Sequence, residues 1–164
     1  MKKAIGLILV CAALTAVGSQ SVFAEEPMLI SPAPQYTINV CGRAAETEDI
    51  PCQPYYEGES LMVPLRKISE ALGYKVTWDS DSGKITVDDD YIQKASLSEG
   101  TSEAVFEGRL KVINMSRTVE NSAKTVIHGG YTYVPLDFFK EFMNDTEVDG
   151  KTINVSPSMA QICE

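Results

Sequence analysis

The sequence is poor in the residues on which most catalytic and metal sites depend. It contains a single histidine, His128, and it has no C-x-x-C pair and no phosphate-binding glycine loop. Copper catalysis requires several histidines, so one histidine excludes it on the number of ligands. A nucleophile activated by histidine would have to use His128, and no nucleophile motif accompanies it. We therefore expect no catalytic residue, no cofactor and no metal site.

Positive charge is also scarce. The chain has 14 lysines and arginines against 23 acidic residues, which gives a net charge of -9. If Lys2 and Lys3 leave with a cleaved leader, the net charge becomes -11. An acidic surface repels nucleic acid and anionic lipid headgroups, so neither is expected as a partner. The acids either attract basic partners or serve solubility, and solubility is the preferred interpretation because acids dispersed along a chain usually mark a solvated face.

The N-terminus has the pattern of a secretory signal. Met1-Lys2-Lys3 precedes an apolar run from Ala4 to Val17, and Val22-Phe23-Ala24 follows. This order predicts a signal peptide over residues 1–24, with cleavage after Ala24. The run is shorter than the roughly 20 apolar residues of a spanning helix, and no later stretch is longer, so no transmembrane segment is expected in the mature chain. Lipidation at Cys11 is the alternative.

Three cysteines remain once the leader is removed: Cys41, Cys52 and Cys163. Because exported proteins meet an oxidising environment, we expect a Cys41–Cys52 disulfide that closes a short loop. A loop of this size adds about 2–3 kcal/mol to stability by the chain-entropy estimate. Cys163 is left as an odd thiol, which can stay free, pair between chains or compete for one of the other two.

The most informative pattern is an internal repeat. Gly58–Leu65 and Gly129–Leu136 both end in Val-Pro-Leu, and each precedes an apolar-periodic segment and then a Gly-Lys hairpin. Upstream of them, Asn39–Arg43 and Val105–Arg109 each read as a strand followed by Gly-Arg. Four landmarks in the same order predict two copies of one unit, over about 36–87 and 102–155.

Each copy contains one predicted helix. Pro64 and Pro135 suit the first helical position, where the missing N–H costs nothing. Gly73 and Asn144 suit the left-handed residue that ends a helix. The second copy then has Asp149-Gly150 as a tight turn. The apolar residues expected to be buried together on the helices are Leu65, Ile68, Leu72, Leu136, Phe139 and Met143.

Strand patterns surround both helices and define the fold class. They cover Tyr36–Val40, Tyr55-Tyr56, Leu61–Val63, Tyr74–Trp78, Ile85–Val87, Ala104–Phe106, Leu110–Ile113 and Tyr131–Val134. We predict an α+β fold with an antiparallel sheet packed on short helices, built from two degenerate β-β-α-β-β repeats. The expected domain spans 36–155, between an extended Pro-rich leader at 25–35 and a C-terminal tail at 156–164.

The repeat motifs resemble a known family. The first copy has G-x-x-x-x-V-P-L-R from Gly58 to Arg66, a helix ending in Ala-Leu-Gly at Gly73, and V-x-W-D from Val76 to Asp79. This combination resembles the copper amine oxidase N-terminal domain-like family, also called stalk domains. In the second copy Asp137 replaces the arginine, and the Trp-Asp pair is missing. The resemblance implies a sheet wrapped on a helix in a secreted or wall-associated bacterial protein. It implies no copper or quinone site, because those lie in a different domain.

Five aromatic residues are the candidates for a binding surface: Tyr55, Tyr56, Trp78, Tyr131 and Tyr133. Aromatic residues on strands form either an exposed face for glycans or wall polymers, or core and cross-strand pairs. Aromatic residues at alternating strand positions are more often core or cross-strand pairs, so the structural interpretation is preferred. Burial against the helices would indicate structural residues, whereas contiguous exposure in a groove would indicate a ligand site.

A weak cation site is a further candidate. Asp79, Asp81 and Gly83 followed by Asp90 have part of the pattern of a calcium loop. One ligand before the glycine is missing, and the last position is not glutamate, so a polar turn is the preferred interpretation.

These observations predict a non-enzymatic module, secreted or bound to the cell envelope. It would act as a structural spacer or interaction domain and would contact an unidentified envelope component or protein. The alternative is a ligand-binding protein that recognises wall polysaccharide or peptide through its aromatic strands. A hydrolase built on residues without a recognisable motif is the third hypothesis.

Overall fold

The computed structural model describes residues 36–45, 52–109 and 116–158. The helices are α1 (Leu65–Ala71) and α2 (Asp137–Glu141). The strands are β1 (Thr37–Val40), β2 (Arg43–Ala44), β3 (Tyr55–Glu57), β4 (Ser60–Pro64), β5 (Lys75–Asp79), β6 (Lys84–Asp88), β7 (Gln93–Ser98), β8 (Glu103–Gly108), β9 (Arg117–Glu120), β10 (Val126–His128), β11 (Tyr131–Pro135), β12 (Asn144–Asp149) and β13 (Thr152–Pro157).

The described strands form three sheets. Sheet 1 has the order β12-β13-β1-β2, sheet 2 has β10-β11-β4-β3, and sheet 3 is the meander β5-β6-β7-β8-β9. A mostly β structure with two short helices is compatible with the predicted α+β class. The expectation of one antiparallel sheet is wrong in its detail, because β1 pairs in parallel with β13. Sequence patterns locate strands but do not fix which distant strands pair.

The element order β-β-α-β-β occurs twice, as β3-β4-α1-β5-β6 and as β10-β11-α2-β12-β13. The two segments meet at the centre of sheet 2, where β4 and β11 are antiparallel and Val63 lies opposite Val134. The two Gly-Arg landmarks are placed differently. Gly42 and Arg43 belong to the β1–β2 hairpin of sheet 1, whereas Gly108 ends β8 in sheet 3. Descent from one repeated unit therefore stays a prediction.

Both helices begin directly after a strand that ends in proline. Pro64 is the last residue of β4 and the N-cap of α1, with φ -69° and ψ 111°. Pro135 is the last residue of β11 and precedes the N-cap of α2, Leu136. The prolines therefore lie just before the helices and not at their first position. A proline at a strand end has no ladder hydrogen bond to lose when the chain turns into a helix.

The ends of the two helices differ. Gly73, with φ 83°, takes the predicted left-handed conformation after α1. After α2 that conformation belongs to Met143, with φ 60°, so the prediction for Asn144 is wrong. Asn144 instead ends the helix with its side chain, whose amide nitrogen donates to the carbonyls of Phe139 and Phe142 at 3.1 Å. Its side-chain oxygen accepts the hydroxyl of Tyr74 at 2.8 Å.

The β12–β13 turn also differs from its prediction. Asp149 pairs with Thr152, so the two-residue loop is Gly150-Lys151 and not Asp149-Gly150. Gly150 has φ 56°, the conformation that a type II′ hairpin requires at its first central residue.

The core lies between the helices and the inner faces of the sheets. Leu65, Ile68, Leu72 and Phe139 are buried in it, as predicted. Leu136 is only partly buried, and Met143 lies outside the core cluster. Phe138 and Phe142 take their place, with fully buried rings. Because α2 has only five residues, the chain leaves helical periodicity before position 143, and the predicted face does not extend that far.

Several predictions lie outside the described residues: the signal peptide at 1–24, Cys11, the leader at 25–35, the strand at 110–113, and Cys163. Ser156 and Pro157, assigned to the tail by the sequence, are the last residues of β13. Within the described ranges, neither helix has the length and apolarity to cross a membrane.

Candidate binding site

An apolar groove of about 340 Å³ lies between α1, β5 and the turn that joins β10 to β11. We call it the Trp78 groove. Its apolar lining is formed by Leu65, Val76, Trp78, Ile85, Ile127 and Tyr131. The volume is at the lower end of the roughly 300–1,000 Å³ found for ligand pockets. It accommodates one or two side chains or a small ring.

The strand β5 supplies one wall of the groove. It pairs with β6, with Val76 opposite Val87 and Trp78 opposite Ile85. Side chains two residues apart on a strand share a face, so Val76 and Trp78 both line the groove. Trp78 is the only tryptophan of the chain, and it is 59% exposed. Exposing most of the largest apolar side chain to water is unfavourable unless the residue is covered in a complex.

The opposite wall depends on a glycine turn. Gly129 and Gly130, with φ 59° and 84°, form the two-residue connection between His128 and Tyr131. Positive φ at both central residues defines a type I′ hairpin turn, which side chains other than those of glycine, asparagine and aspartate rarely tolerate. The turn directs Tyr131 to the groove. His128 is exposed at the end of β10.

Two basic residues on the first turn of α1, Arg66 and Lys67, also line the groove. Arg66 Nη1 lies 3.1 Å from Glu70 Oε1 and donates to the carbonyl of Val76 at 3.2 Å. Both side chains of the Arg66–Glu70 pair are more than half exposed. An exposed pair of this kind contributes about 0–1 kcal/mol and exchanges readily for another carboxylate. The groove therefore carries local positive charge on an acidic protein.

The structure does not bring the five predicted aromatic residues together. Trp78 and Tyr131 line the groove. Tyr133 is 2% exposed and packs edge-on against Tyr55, with ring centroids 5.1 Å apart. Burial raises the pKa of Tyr133 to about 12. Tyr55 on β3 and Tyr133 on β11 thus contact each other across β4 and are structural residues.

Tyr56 lies outside both groups. It is 46% exposed, and its ring is edge-on to that of Tyr36 at 6.4 Å. The two hydroxyls are 3.5 Å apart. Tyr56 belongs to β3 at one edge of sheet 2, whereas Tyr131 is on β11, two strands away.

The predicted Cys41–Cys52 disulfide is not formed. Cys41 is disulfide-bonded, whereas Cys52 is a buried thiol. The two residues belong to different parts of the fold. Cys41 follows β1 in sheet 1, where its N–H donates to Val155, and Cys52 is close enough to Tyr133 of sheet 2 to raise the pKa of that phenol. Proximity in sequence was therefore a poor guide to pairing.

The acids proposed as a weak cation site serve turns and ion pairs. Asp79 accepts hydrogen bonds from the Ser82 hydroxyl and the Asp81 N–H, which lower the pKa of its exposed carboxyl. Asp90 lies beyond the other end of β6 and pairs with Arg109 at 3.1 Å. The described ranges contain no group of three histidine, cysteine or acidic residues arranged to hold a metal.

A second, more open cavity of about 630 Å³ lies between the start of α2 and the β3–β4 turn. There the start of α2, at Leu136 and Asp137, faces Glu59 and Ser60. Asp137 accepts the N–H and hydroxyl of Ser122 at 2.9 and 3.1 Å. The first cavity is apolar with basic residues, and the second is acidic and polar.

Sequence reasoning identified two residues of the groove, Trp78 and Tyr131, and missed Ile127, Arg66 and Lys67 as binding candidates. Arg66 was visible as part of the V-P-L-R motif. Ile127 lies on β10, a three-residue strand too short for an alternating pattern to reveal.

Comparisons with known proteins identify the family. The model named "Copper amine oxidase N-terminal domain" matches residues 43–156, well over half of the chain. The protein therefore belongs to the copper amine oxidase N-terminal domain family, as its motifs predicted.

A curated relative from Brevibacillus choshinensis, named "Protease inhibitor", is 27% identical over 136 residues. The match covers 80% of this chain and 36% of the relative, so the chain spans about a third of that protein's length. No solved structure matches significantly.

Proposed function

We propose that this chain is a non-enzymatic, exported interaction module that binds another protein of the cell envelope or its surroundings through the Trp78 groove. The observation that carries the proposal is the 59% exposure of Trp78 beside an apolar groove. Tryptophans that become buried in a protein–protein interface are frequent binding hot spots. A pocket beside a tryptophan that is exposed in the free protein provides the complementary surface for a partner's side chain.

The comparisons support a binding role. The matching family is an N-terminal domain and not the oxidase domain that gives the family its name. The Brevibacillus relative is named for an inhibitor, and an inhibitor acts by binding another protein. Export is supported by the leader pattern at 1–24. We also propose that the two β-β-α-β-β segments derive from one repeated unit, which is supported by the pairing of Val63 with Val134 across sheet 2.

A matched pair of variants tests the proposal. Trp78→Ala removes the aromatic wall of the groove, whereas Tyr91→Ala removes an even more exposed aromatic residue, 68% exposed, that does not line it. The mature protein and both variants are crosslinked to isolated cell envelopes and to secreted proteins, and captured partners are quantified by mass spectrometry. We expect a partner whose recovery falls at least about tenfold with Trp78→Ala and is unchanged with Tyr91→Ala. Equal recovery with both variants would refute the groove as the contact surface.

Recognition of wall polysaccharide is the second candidate function. This candidate is favoured by the position of Trp78 and Tyr131, which line the same groove, because sugars stack on aromatic rings. The buried pair of Tyr55 and Tyr133 provides no such surface. Cosedimentation of the same variants with purified wall polysaccharide distinguishes the two candidates. Retention that depends on Trp78 in the absence of any protein would favour the polysaccharide.

A further inference from the structure

The groove runs along an open edge of sheet 3. β5 is the outermost strand, and β6 is its one strand partner among the residues that the structure describes. The carbonyl of Val76 accepts Arg66 Nη1 from α1, so it points away from β6. Backbone groups two residues apart in an antiparallel strand point to the same edge. The N–H and carbonyl of Trp78 therefore also point outward.

An outward-facing strand edge is a template for another extended chain. Natural edges are often protected by bulges, prolines or covering elements. β5 has neither a proline nor a bulge, and its charged residues, Lys75 and Asp79, lie at its two ends. The exposed Arg66 side chain covers the edge at one carbonyl. Four of its five residues are exposed.

Side-chain sites accompany the edge. Residues of an added strand alternate in direction, so every second side chain would point into the groove between Trp78 and Tyr131. The apolar lining favours an apolar side chain there. Arg66 and Lys67 favour a carboxylate at the neighbouring position. The chain as a whole has a net charge of -9, which discourages acidic segments from binding to its other surfaces.

We propose that the partner contributes an extended segment that adds as a strand to β5. The segment places an apolar side chain in the Trp78 groove and a carboxylate at Arg66 and Lys67. This inference rests on the proposed function and specifies how its partner is recognised. Backbone hydrogen bonds provide affinity, while the groove and the two basic residues select the sequence.

A panel of synthetic hexapeptides tests the proposal. Each has the form acetyl-Thr-X-Thr-X-Thr-Asp-amide, with Val, Leu, Ile or Phe at each X, so that both X residues and the aspartate share one face. Because Trp78 is the only tryptophan, its fluorescence reports occupancy of the groove directly. We expect a saturable blue shift with some members of the panel, and slower hydrogen exchange of the Trp78 amide. N-methylation of the same peptides should abolish both effects.

Two variants separate backbone pairing from groove filling. Val76→Pro removes an outward N–H, keeps an apolar residue and should weaken binding at least about tenfold. Arg66→Gln should weaken binding of the aspartate peptides several-fold and leave their asparagine analogues unaffected. Circular dichroism checks that each variant folds, and Tyr91→Ala serves as the unchanged control.

Three results would overturn the strand-addition model: no peptide binding, undiminished binding by folded Val76→Pro, or dimers in sedimentation velocity that Val76→Pro abolishes. The last would assign the edge to a second copy of the chain. If binding of envelope partners is lost with Trp78→Ala but kept with folded Val76→Pro, the proposed function stands and this inference fails.

Discussion

Phe142 provides the sharpest test of how the core is built. Its ring is 1% exposed and lies 5.1 Å from Tyr74 and 5.9 Å from both Phe106 and Phe138. Phe142→Ala removes these contacts and leaves a cavity, because the rigid strands around it collapse only partly. Such truncations cost about 3–5 kcal/mol. That is a large share of the 5–15 kcal/mol by which native domains are typically stable.

Met143 is the matched control on the next residue. It is half-buried, lies outside the core cluster and has φ 60°. Met143→Ala should cost about 1 kcal/mol or less, and Met143→Gly should recover part of this because glycine adopts positive φ without strain.

Urea unfolding followed by far-ultraviolet circular dichroism measures all three variants, provided that their m-values agree. Helical periodicity in the sequence places Met143 on the buried face, whereas the structure places Phe142 there. Equal losses for Met143→Ala and Phe142→Ala would refute the structural assignment.

Three further predictions follow from buried polar groups and cysteines. Burial raises the pKa values of Tyr74 and Tyr133 to about 12, so these should be the last tyrosines to ionise when phenolate absorbance is followed with rising pH. Because the folded state favours their neutral forms, the free energy of unfolding should hold below pH 10 and fall as the pH approaches 12. Asn144→Ala should lower the free energy of unfolding by about 2–4 kcal/mol, measured by thermal unfolding, because two helix-end carbonyls and the Tyr74 hydroxyl lose their partner. Adding Tyr74→Phe to Asn144→Ala should lower it little further. Non-reducing peptide mapping of the mature protein should find Cys41 in a disulfide that does not include Cys52, and a Cys41–Cys52 linked peptide would contradict this.

Local features of the fold were predictable because they depend on neighbours in the sequence. The Val-Pro-Leu segments indicated strand ends followed by helices, and the glycine after α1 indicated its stop.

Long-range features were not predictable from these patterns. The parallel pairing of β1 with β13 joins residues more than 110 positions apart, and no local signal encodes it. The same holds for the groove. Trp78 and Tyr131 were recognised as aromatic candidates, but only the packing of α1 between sheets 2 and 3 places them at one cavity and adds Arg66 and Lys67. Tyr133 follows the same alternating pattern as Tyr131 but is buried. The pattern alone therefore does not distinguish residues that line the groove from residues of the core.

The β1–β13 pairing also determines how the domain responds to mechanical force. Thr37 lies beside Thr152 and Val40 beside Val155, with both strands running in the same direction. A pull applied to the start of β1 and the end of β13 slides one strand along the other and loads their hydrogen bonds together. Strands pulled apart from one end would break these bonds one at a time. The topology therefore places a pairing that is loaded in shear between the first and last described strands.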